Sequence, residues 1–158
     1  MAYADIEFYK IKYCGNVVPD EFLEKYLEKA SDSIDEITFD RLVDGFPDNK
    51  RAQTKVKKAV CEVADYLYQI DEVKKVSMAT MGTVTRADGT MTGKMVSSIS
   101  SGAESISYVT GTTGGIFDIY SQAAMDEEVE KVRLRQVATK YLAGVVDNKG
   151  VFLLYAGI

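Results

Sequence analysis

Three carboxylates that lie close together in the sequence are the residues most able to support chemistry. Asp32, Asp35 and Glu36 could hold a metal ion or act as an acid/base pair. No neighbouring residues supply oxygen ligands at the spacing of a metal-binding loop, so a solvated helix face is the favoured interpretation. The sequence contains no histidine, which removes the usual general base and the commonest transition-metal ligand. We expect no catalytic residue, no metal and no cofactor.

Two other patterns that could do chemistry are also weak. Cys14 and Cys61 are too few for a zinc site, and two thiols in a chain of this kind are more often small core residues than a disulfide. The segment 89–95 superficially resembles a phosphate-binding loop, but the interval between its glycines is one residue short. Met95 stands where the magnesium-binding Ser or Thr should be. We therefore reject a nucleotide site.

Composition and charge predict an ordinary soluble domain that does not bind nucleic acid tightly. The chain has 158 residues, of which 46% are hydrophobic and 27% charged, enough for one domain with a sizeable core. Its net charge of −5 has the wrong sign for gripping phosphates over a broad face. We see no stretch that would span a bilayer and no secretion signal, so we expect synthesis in the cytoplasm and no membrane contact.

The longest regular pattern runs over residues 50–76 and predicts a long central helix. Its apolar residues recur at alternating steps of four and three, which places them on one stripe of an α-helix that must be buried. They are Val56, Val60, Val63, Leu67 and Ile70.

Shorter patterns predict helices on both sides of the central one. One covers residues 19–37, starting near a proline suited to a first turn, and the last covers about 121–143. A short helix over 38–44 would begin at Thr38, with Phe39, Leu42 and Val43 facing inward. The N-terminal residues up to Val18 have no clean period and are interpreted as an extended or partly helical arm anchored by aromatic side chains.

Two segments stand outside this helical plan. Residues 77–119 are rich in Gly, Ser and Thr, and Asp88-Gly89 between two Thr-rich stretches predicts a β-hairpin with a tight turn. Residues 150–158 form an apolar tail that would be sticky in water, so it docks either on its own subunit or on another one. The sequence alone favours neither of these two possibilities.

The predicted fold class is mainly α, in a single domain over residues 1–158. It is a small helical bundle around one long central helix, with a Gly/Ser/Thr-rich β-hairpin or loop insertion and an extended apolar C-terminal tail. The insertion and the tail are the predicted contacts with other proteins. The candidate interface residues are Arg86, Asp88, Lys94, Val151, Phe152, Leu153, Leu154, Tyr155 and Ile158.

Several stretches, in order, resemble the head-tail connector (adaptor, head completion) proteins of long-tailed bacteriophages and prophages. The resemblance covers nearly the whole chain, although residues 145–152 depart from the family pattern. The stretches are Tyr13-Cys14-Gly15, the run from Ala30 to Leu42, Ala59 to Tyr66, the Ser/Gly/Tyr-rich run from Ser97 to Tyr108, and the ending Leu153-Leu154-Tyr155-Ala156-Gly157-Ile158.

The resemblance implies a non-enzymatic structural protein of the virion, located at the head-tail interface and in the host cytoplasm during assembly. Members of the connector family form a ring, commonly of about twelve copies, below the portal protein. The ring extends the DNA channel and docks a stopper, head-closure or tail protein. DNA passes through without specific binding.

Other interpretations stay open. The chain could be a small helical adaptor or regulator that binds a protein through the helix over 50–76 and forms no ring. An enzyme using Asp and Tyr with an unseen metal is a weaker alternative. Stopper and tail-terminator proteins are mainly β, whereas the best-patterned segments here are helical.

Overall fold

A computed structural model describes residues 2–85, 91–100, 105–109 and 116–155, and within them the side chains of residues 2–75 and 119–155. The prediction of a mainly α protein is confirmed, because helices account for most of the described residues. The chain divides into two compact units. The first unit comprises Met1–Gln69 and Asp126–Ile158, and the second comprises Ile70–Met125. In the described part of the chain, no helix is both long and apolar enough to cross a bilayer.

The first unit is a helical bundle assembled on the N-terminal part of the longest helix. Val56, Val60 and Val63 of that helix are fully buried, as their spacing predicts. Asn49 caps its first turn, where the side-chain oxygen accepts the backbone amide of Arg51 at 2.8 Å. The helices of this unit are α1 (Asp20–Ile37), α2 (Arg41–Asp44), α3 (Lys50–Thr80, which continues into the second unit) and α5 (Glu127–Leu142).

The second unit contains a three-stranded antiparallel sheet between two helical segments. The strands lie in the order β1 (Met81–Thr85), β2 (Met91–Ser100) and β3 (Ser105–Val109), and helix α4 (Ile116–Met125) follows them. Met81 pairs with Met95, and Ser100 pairs with Ser105. The register between β2 and β3 shifts between Val96 and Ser98. The predicted Asp88-Gly89 turn lies outside the described residues.

The last helical region is interrupted, whereas the sequence predicts one helix over about 121–143. α4 ends at Met125 and α5 begins at Glu127, with Asp126 in an extended conformation between them. The Asp126 carboxylate accepts the backbone amides of Glu128 and Val129 at 2.9 and 3.4 Å. An aspartate that caps the following helix in this way ends the preceding one, because its own backbone leaves the helical conformation.

The connection after α1 corrects a prediction. The sequence predicts that Phe39, Leu42 and Val43 face inward, but Phe39 and Val43 are 44% and 65% exposed, and only Leu42 of the three is buried. Phe39 and Asp40 both have positive φ, so α2 begins only at Arg41 and is a single turn. One helical turn can direct only one side of itself to the core, and Leu42 occupies that side.

The N-terminal segment, residues 2–18, belongs to the first unit and contains a π-helix over Phe8–Tyr13. Tyr9 is buried within it. Gly15 lies against the Tyr9 ring so closely that a β-carbon at this position would be 2.3 Å from ring atom Cζ. This position therefore has room only for glycine.

The C-terminal segment, residues 145–155, differs from the extended tail that the sequence predicts. Val146 and Phe152 form an antiparallel bridge, and the amide of Leu153 donates to the carbonyl of Val145 at 2.9 Å. Leu153 is fully buried in the first unit. The physical reason is that one apolar side chain of the segment enters the core when the chain reverses, which an extended strand would not allow.

Candidate interaction surface

A buried aspartate builds the turn that presents the C-terminal segment. The Asp147 carboxylate accepts the backbone amides of Lys149 and Val151, both at 2.8 Å. Its own amide donates to the carbonyl of Val151, also at 2.8 Å. These three hydrogen bonds close the turn and satisfy the buried carboxylate. The residues that follow the turn are therefore held in one arrangement.

Two aromatic side chains of this segment point into solvent. Phe152 and Tyr155 are 58% and 52% exposed, although Leu153 between them is buried. The amide of Tyr155 donates to the carbonyl of Phe152 at 3.1 Å, so the two residues flank a single turn. Exposed rings on a hydrogen-bonded turn are a feature of protein contact sites, because large rigid side chains bury much area at little entropic cost.

An arginine of α2 joins this turn. The Arg41 Nε donates to the Tyr155 carbonyl oxygen at 3.1 Å, and its guanidinium lies 5.9 Å from the centre of the Tyr155 ring. The second contact is a cation–π interaction. Arg41 thus ties the C-terminal segment to the region between α1 and α3 and adds a positive charge beside the exposed ring.

A second arginine–aromatic pair joins α5 to the connection after α1. The Arg135 guanidinium of α5 lies 5.7 Å from the centre of the Phe39 ring. Val132, three residues before Arg135 on the same helix, is also exposed. The positive φ of Phe39 is costly for a bulky residue, and such strain is concentrated at functional sites.

We use the name aromatic–arginine surface for two arginine–aromatic contacts, Arg41 with Tyr155 and Arg135 with Phe39, together with the exposed Phe152. All five belong to the first unit. Aromatic residues and arginine are the types most enriched in the energetic centres of protein interfaces. Exposed rings beside guanidinium groups are suited to binding another protein.

A second feature of the first unit is a groove of about 740 Å³ between the N-terminal segment and α1. It is lined by the exposed carboxylates Asp5, Glu7, Glu24 and Glu28 and by the apolar Ile6 and Leu27. The Lys57 Nζ lies 3.8 Å from Asp5 Oδ2. We call this feature the acidic groove.

The N-terminal segment also carries a carboxylate contact that is structural. The hydroxyls of Tyr9 and Tyr13 both donate to the carboxylate of Asp65 on α3, and the Tyr13 distance is 3.0 Å. The Tyr9 oxygen accepts the amides of Val17 and Val18 at 3.3 and 3.2 Å. Burial, and then the hydrogen bond to Asp65, raise the pKa of Tyr9 to about 12. Burial also raises the pKa of Asp65, against the effect of the two tyrosine hydroxyls.

Asp65 lies on α3 and accepts both tyrosine hydroxyls of the N-terminal segment. It is half-buried, because the N-terminal segment covers it. Each of its neutral tyrosine partners keeps its proton, so the three residues form a hydrogen-bonded anchor.

The carboxylates Asp32, Asp35 and Glu36 are not brought together with other ligands. Asp35 accepts the Tyr3 hydroxyl at 2.6 Å, and burial raises its pKa, opposed by that hydrogen bond. Among the residues that the structure describes, no group of three or more His, Cys, Asp or Glu residues could hold a metal ion.

The structure separates the predicted interface residues into three groups. Phe152 and Tyr155 are exposed and Val151 and Leu154 half-buried, while Leu153 is in the core and cannot contact a partner. Lys94 lies in β2, where its backbone pairs with Gly82. The others, Arg86, Asp88 and Ile158, lie outside the described residues.

Sequence reasoning missed Phe39, Arg41 and Arg135. Arg41 and Arg135 are far from residues 151–155 in the chain, and nothing in their local pattern links them to that segment. The one signal in the sequence is the position of Phe39, which comes after the end of the apolar stripe of α1 and so need not continue its buried face. Reading Thr38 as a helix cap instead assigned Phe39 to the core.

Comparison of the chain with protein-family models, with curated proteins and with solved structures finds no match.

Proposed function

We propose that this chain is a non-enzymatic structural subunit of the phage head-tail connector. It forms a ring below the portal protein, extends the DNA channel, and docks a stopper or tail protein. The observation that carries the proposal is the aromatic–arginine surface, where Phe152 and Tyr155 are exposed on a segment tied to the body by Arg41. Such a surface binds protein, and it lies at the ending that resembles the connector family.

The charge of the chain supports the same function. Its net charge of −5 disfavours tight binding of the phosphate backbone. A ring through which DNA passes needs that property, because strong phosphate contacts would hold the DNA in place. Heterologous contacts that close into a ring also use surface of this kind in every copy.

The insertion and the C-terminal segment are the proposed partner contacts of this subunit. A β-hairpin over part of 77–119 would carry Arg86, Asp88 and Lys94 to the portal, the neighbouring subunit or the stopper. The C-terminal segment would use Phe152 and Tyr155, with Leu153 holding it on its own unit. This division of roles makes the exposed rings available without unfolding the segment.

The alternative adaptor that forms no ring would bind through the helix over 50–76. The apolar stripe of that helix is already covered at Val56, Val60 and Val63. The observations on the first unit therefore favour a partner contact at the aromatic–arginine surface over one at the central helix.

The test is association of the full chain with the portal protein of the same genome, measured by light scattering and by electron microscopy of the mixture. We expect a complex containing a ring of about twelve copies. Failure to associate with the portal at any attainable concentration would overturn the proposal. A complex with one isolated copy per portal site would instead support the adaptor.

Matched variants show whether the proposed surface makes the contact. Phe152→Ala with Tyr155→Ala removes two exposed rings and should leave the fold intact while weakening association by about tenfold or more. Deleting residues 151–158 is a poorer test, because it also removes Leu153 from the core. Unchanged portal association in the double variant would exclude this surface from the contact.

A further inference from the structure

We infer that Arg51, Lys55 and Lys58 of α3 contact the phosphate backbone of double-stranded DNA. We call these three residues the basic stripe. The inference rests on the proposed function, since it names the part of the subunit that meets the DNA in the channel. It is drawn from the uneven distribution of charge along a chain whose net charge is −5.

Cations are concentrated at the start of α3. Five of the nine residues in 50–58 are Lys or Arg, and none is Asp or Glu. The helices α1 and α5 carry carboxylates in their first turns, whereas α3 carries none there. Because the first turn of a helix favours acids and disfavours cations, helix stability does not explain the basic start of α3.

The spacing of the basic stripe places its three side chains on one side of the helix. Residues at positions i, i+4 and i+7 share one side, and here that side lies opposite the buried Val56 and Val60. Arg51 is exposed, and Lys55 and Lys58 are half-buried. At 1.5 Å per residue the stripe is about 10 Å long, which spans about three nucleotides of one DNA strand.

The side chains of the stripe, rather than the end of the helix, form the proposed contact. The Asn49 side-chain oxygen already accepts the backbone amides of Arg51 and Ala52 at 2.8 and 3.4 Å. Arg51 and Lys55 line a depression of about 420 Å³ together with the turn over residues 144–150. Two cations therefore face the same open space.

The three cations of the stripe are unpaired within the described chain, where no carboxylate forms an ion pair with any of them. Lys57 between them differs, because its Nζ lies 3.8 Å from Asp5 Oδ2. The next residue along the stripe is Glu62, which accepts the Lys140 Nζ at 2.8 Å. The charges beyond the stripe are thus matched, whereas those within it are not.

Two carboxylates line the depression beside the stripe. The Asp147 carboxylate is buried and accepts two backbone amides, both at 2.8 Å. Asp48 is exposed and comes directly before the helix. One exposed carboxylate stands against three unpaired cations, so the surface remains positive and suits an anionic partner.

The composition of this surface favours nucleic acid over an acidic protein. None of the exposed large hydrophobic residues of the described chain lies in residues 44–75 or lines the depression. A protein interface needs an apolar centre, whereas phosphate contacts need cations and polar groups. Three cations make few phosphate contacts, and the net charge of −5 opposes DNA, so the contact is weak and salt-sensitive.

The test measures binding of the full chain to a fluorescent mixed-sequence DNA duplex of about 30 base pairs by anisotropy. We expect binding at about 20 mM salt, with a slope of log K against log salt of about −2.7 for three phosphates. The neutral variant Arg51→Gln, Lys55→Gln, Lys58→Gln should bind at least about tenfold more weakly, with a slope near zero. No binding by the original chain, or equal binding by the neutral variant, would overturn the inference.

Two controls separate the stripe from net charge and from misfolding. The variant Lys12→Gln, Lys25→Gln, Arg133→Gln makes the same change in net charge outside the stripe and should bind within about threefold of the original chain. The variant Arg51→Lys, Lys55→Arg, Lys58→Arg keeps all three charges and should also retain binding. Equal losses in the neutral variant and in the first control would contradict a local contact.

Competition distinguishes DNA from an acidic protein. Unlabelled duplex should displace the fluorescent DNA, whereas polyglutamate of the same total charge should not, because its lower charge density releases fewer condensed counterions. If polyglutamate competes as well as the duplex, the stripe recognises acidic protein and the assignment to DNA is wrong.

The outcomes also separate this inference from the proposed function. If the chain forms a ring on the portal but the neutral variant binds DNA like the original chain, the inference about the stripe is wrong and the connector proposal stands. If the stripe binds DNA as expected but the chain never associates with the portal, the connector proposal is wrong and the DNA contact stands.

Discussion

The N-terminal and C-terminal segments of the first unit are both rich in aromatic residues, but the first buries an aromatic ring whereas the second exposes two. In the N-terminal segment Tyr9 is buried and its hydroxyl reaches a carboxylate of α3. In the C-terminal segment Phe152 and Tyr155 stand in water, and the neighbouring charged group is an arginine. Aromatic content alone therefore does not say whether a segment belongs to the core.

The difference lies in the polar partner of each segment. A tyrosine hydroxyl can be buried where a hydrogen-bond acceptor such as Asp65 is present, because the buried donor is then satisfied. A guanidinium cannot follow a ring into the core at small cost, so Arg41 keeps Tyr155 near the surface. The N-terminal segment is thus an anchor. The C-terminal segment instead exposes its aromatic rings and is held to the unit by one buried leucine.

The strongest test of this contrast is Leu153→Ala. Because Leu153 is fully buried, the substitution should lower the free energy of unfolding by about 2–5 kcal/mol, measured by urea denaturation. The neighbouring change Phe152→Ala should cost less than about 1 kcal/mol. Equal losses for the two variants would mean that the C-terminal segment is not docked through Leu153.

Next in size is Gly15→Ala in the N-terminal segment. The new methyl would meet the Tyr9 ring at 2.3 Å, so the π-helix must shift and the free energy of unfolding should fall by about 1–3 kcal/mol. In a Tyr9→Ala background the same substitution should cost little more. An identical penalty in both backgrounds would show that the ring is not the obstacle.

A smaller effect is expected for Tyr9→Phe. The change removes the hydroxyl that links Asp65 with the amides of Val17 and Val18, and it should cost about 1.5 kcal/mol in thermal or urea unfolding. Tyr155→Phe is the matched control on the exposed side and should change stability by less than about 0.5 kcal/mol. A larger loss of stability for Tyr155→Phe than for Tyr9→Phe would contradict the contrast between the buried and the exposed segment.

The smallest effect appears only at alkaline pH. The pKa of Tyr9 is raised from 10.0 to about 12 in the folded chain, first by burial and then by the Asp65 hydrogen bond. The unfolded chain loses this proton at lower pH, so the stabilisation is complete below pH 10 and disappears as pH rises through 12. Burial shifts the pKa of Tyr3 and Tyr13 in the same direction.

The check is the difference in free energy of unfolding between the original chain and Tyr9→Phe. Measured from about pH 9 to about pH 11.5, this difference should shrink as pH rises. A difference that stays constant over this range would show that Tyr9 does not hold its proton more tightly in the folded chain.

Local pattern was sufficient for the buried face of the central helix. The stripe through Val56, Val60 and Val63 predicts burial because an α-helix repeats every 3.6 residues, and tertiary packing only had to cover a face already present. The acidic balance and the lack of histidine are likewise properties of the sequence alone. They depend on no contact between distant residues.

The candidate surface was decided by tertiary structure. Sequence reasoning found Phe152 and Tyr155, but it also included Leu153, since alternation cannot say which side of a short segment meets the core. It placed Phe39 inside because a positive φ at that position has no clear signal in the residue types. Arg41 and Arg135 became neighbours of the exposed rings only through packing across the first unit. Contacts of that kind depend on where the chain returns in space, and periodicity carries no information about it.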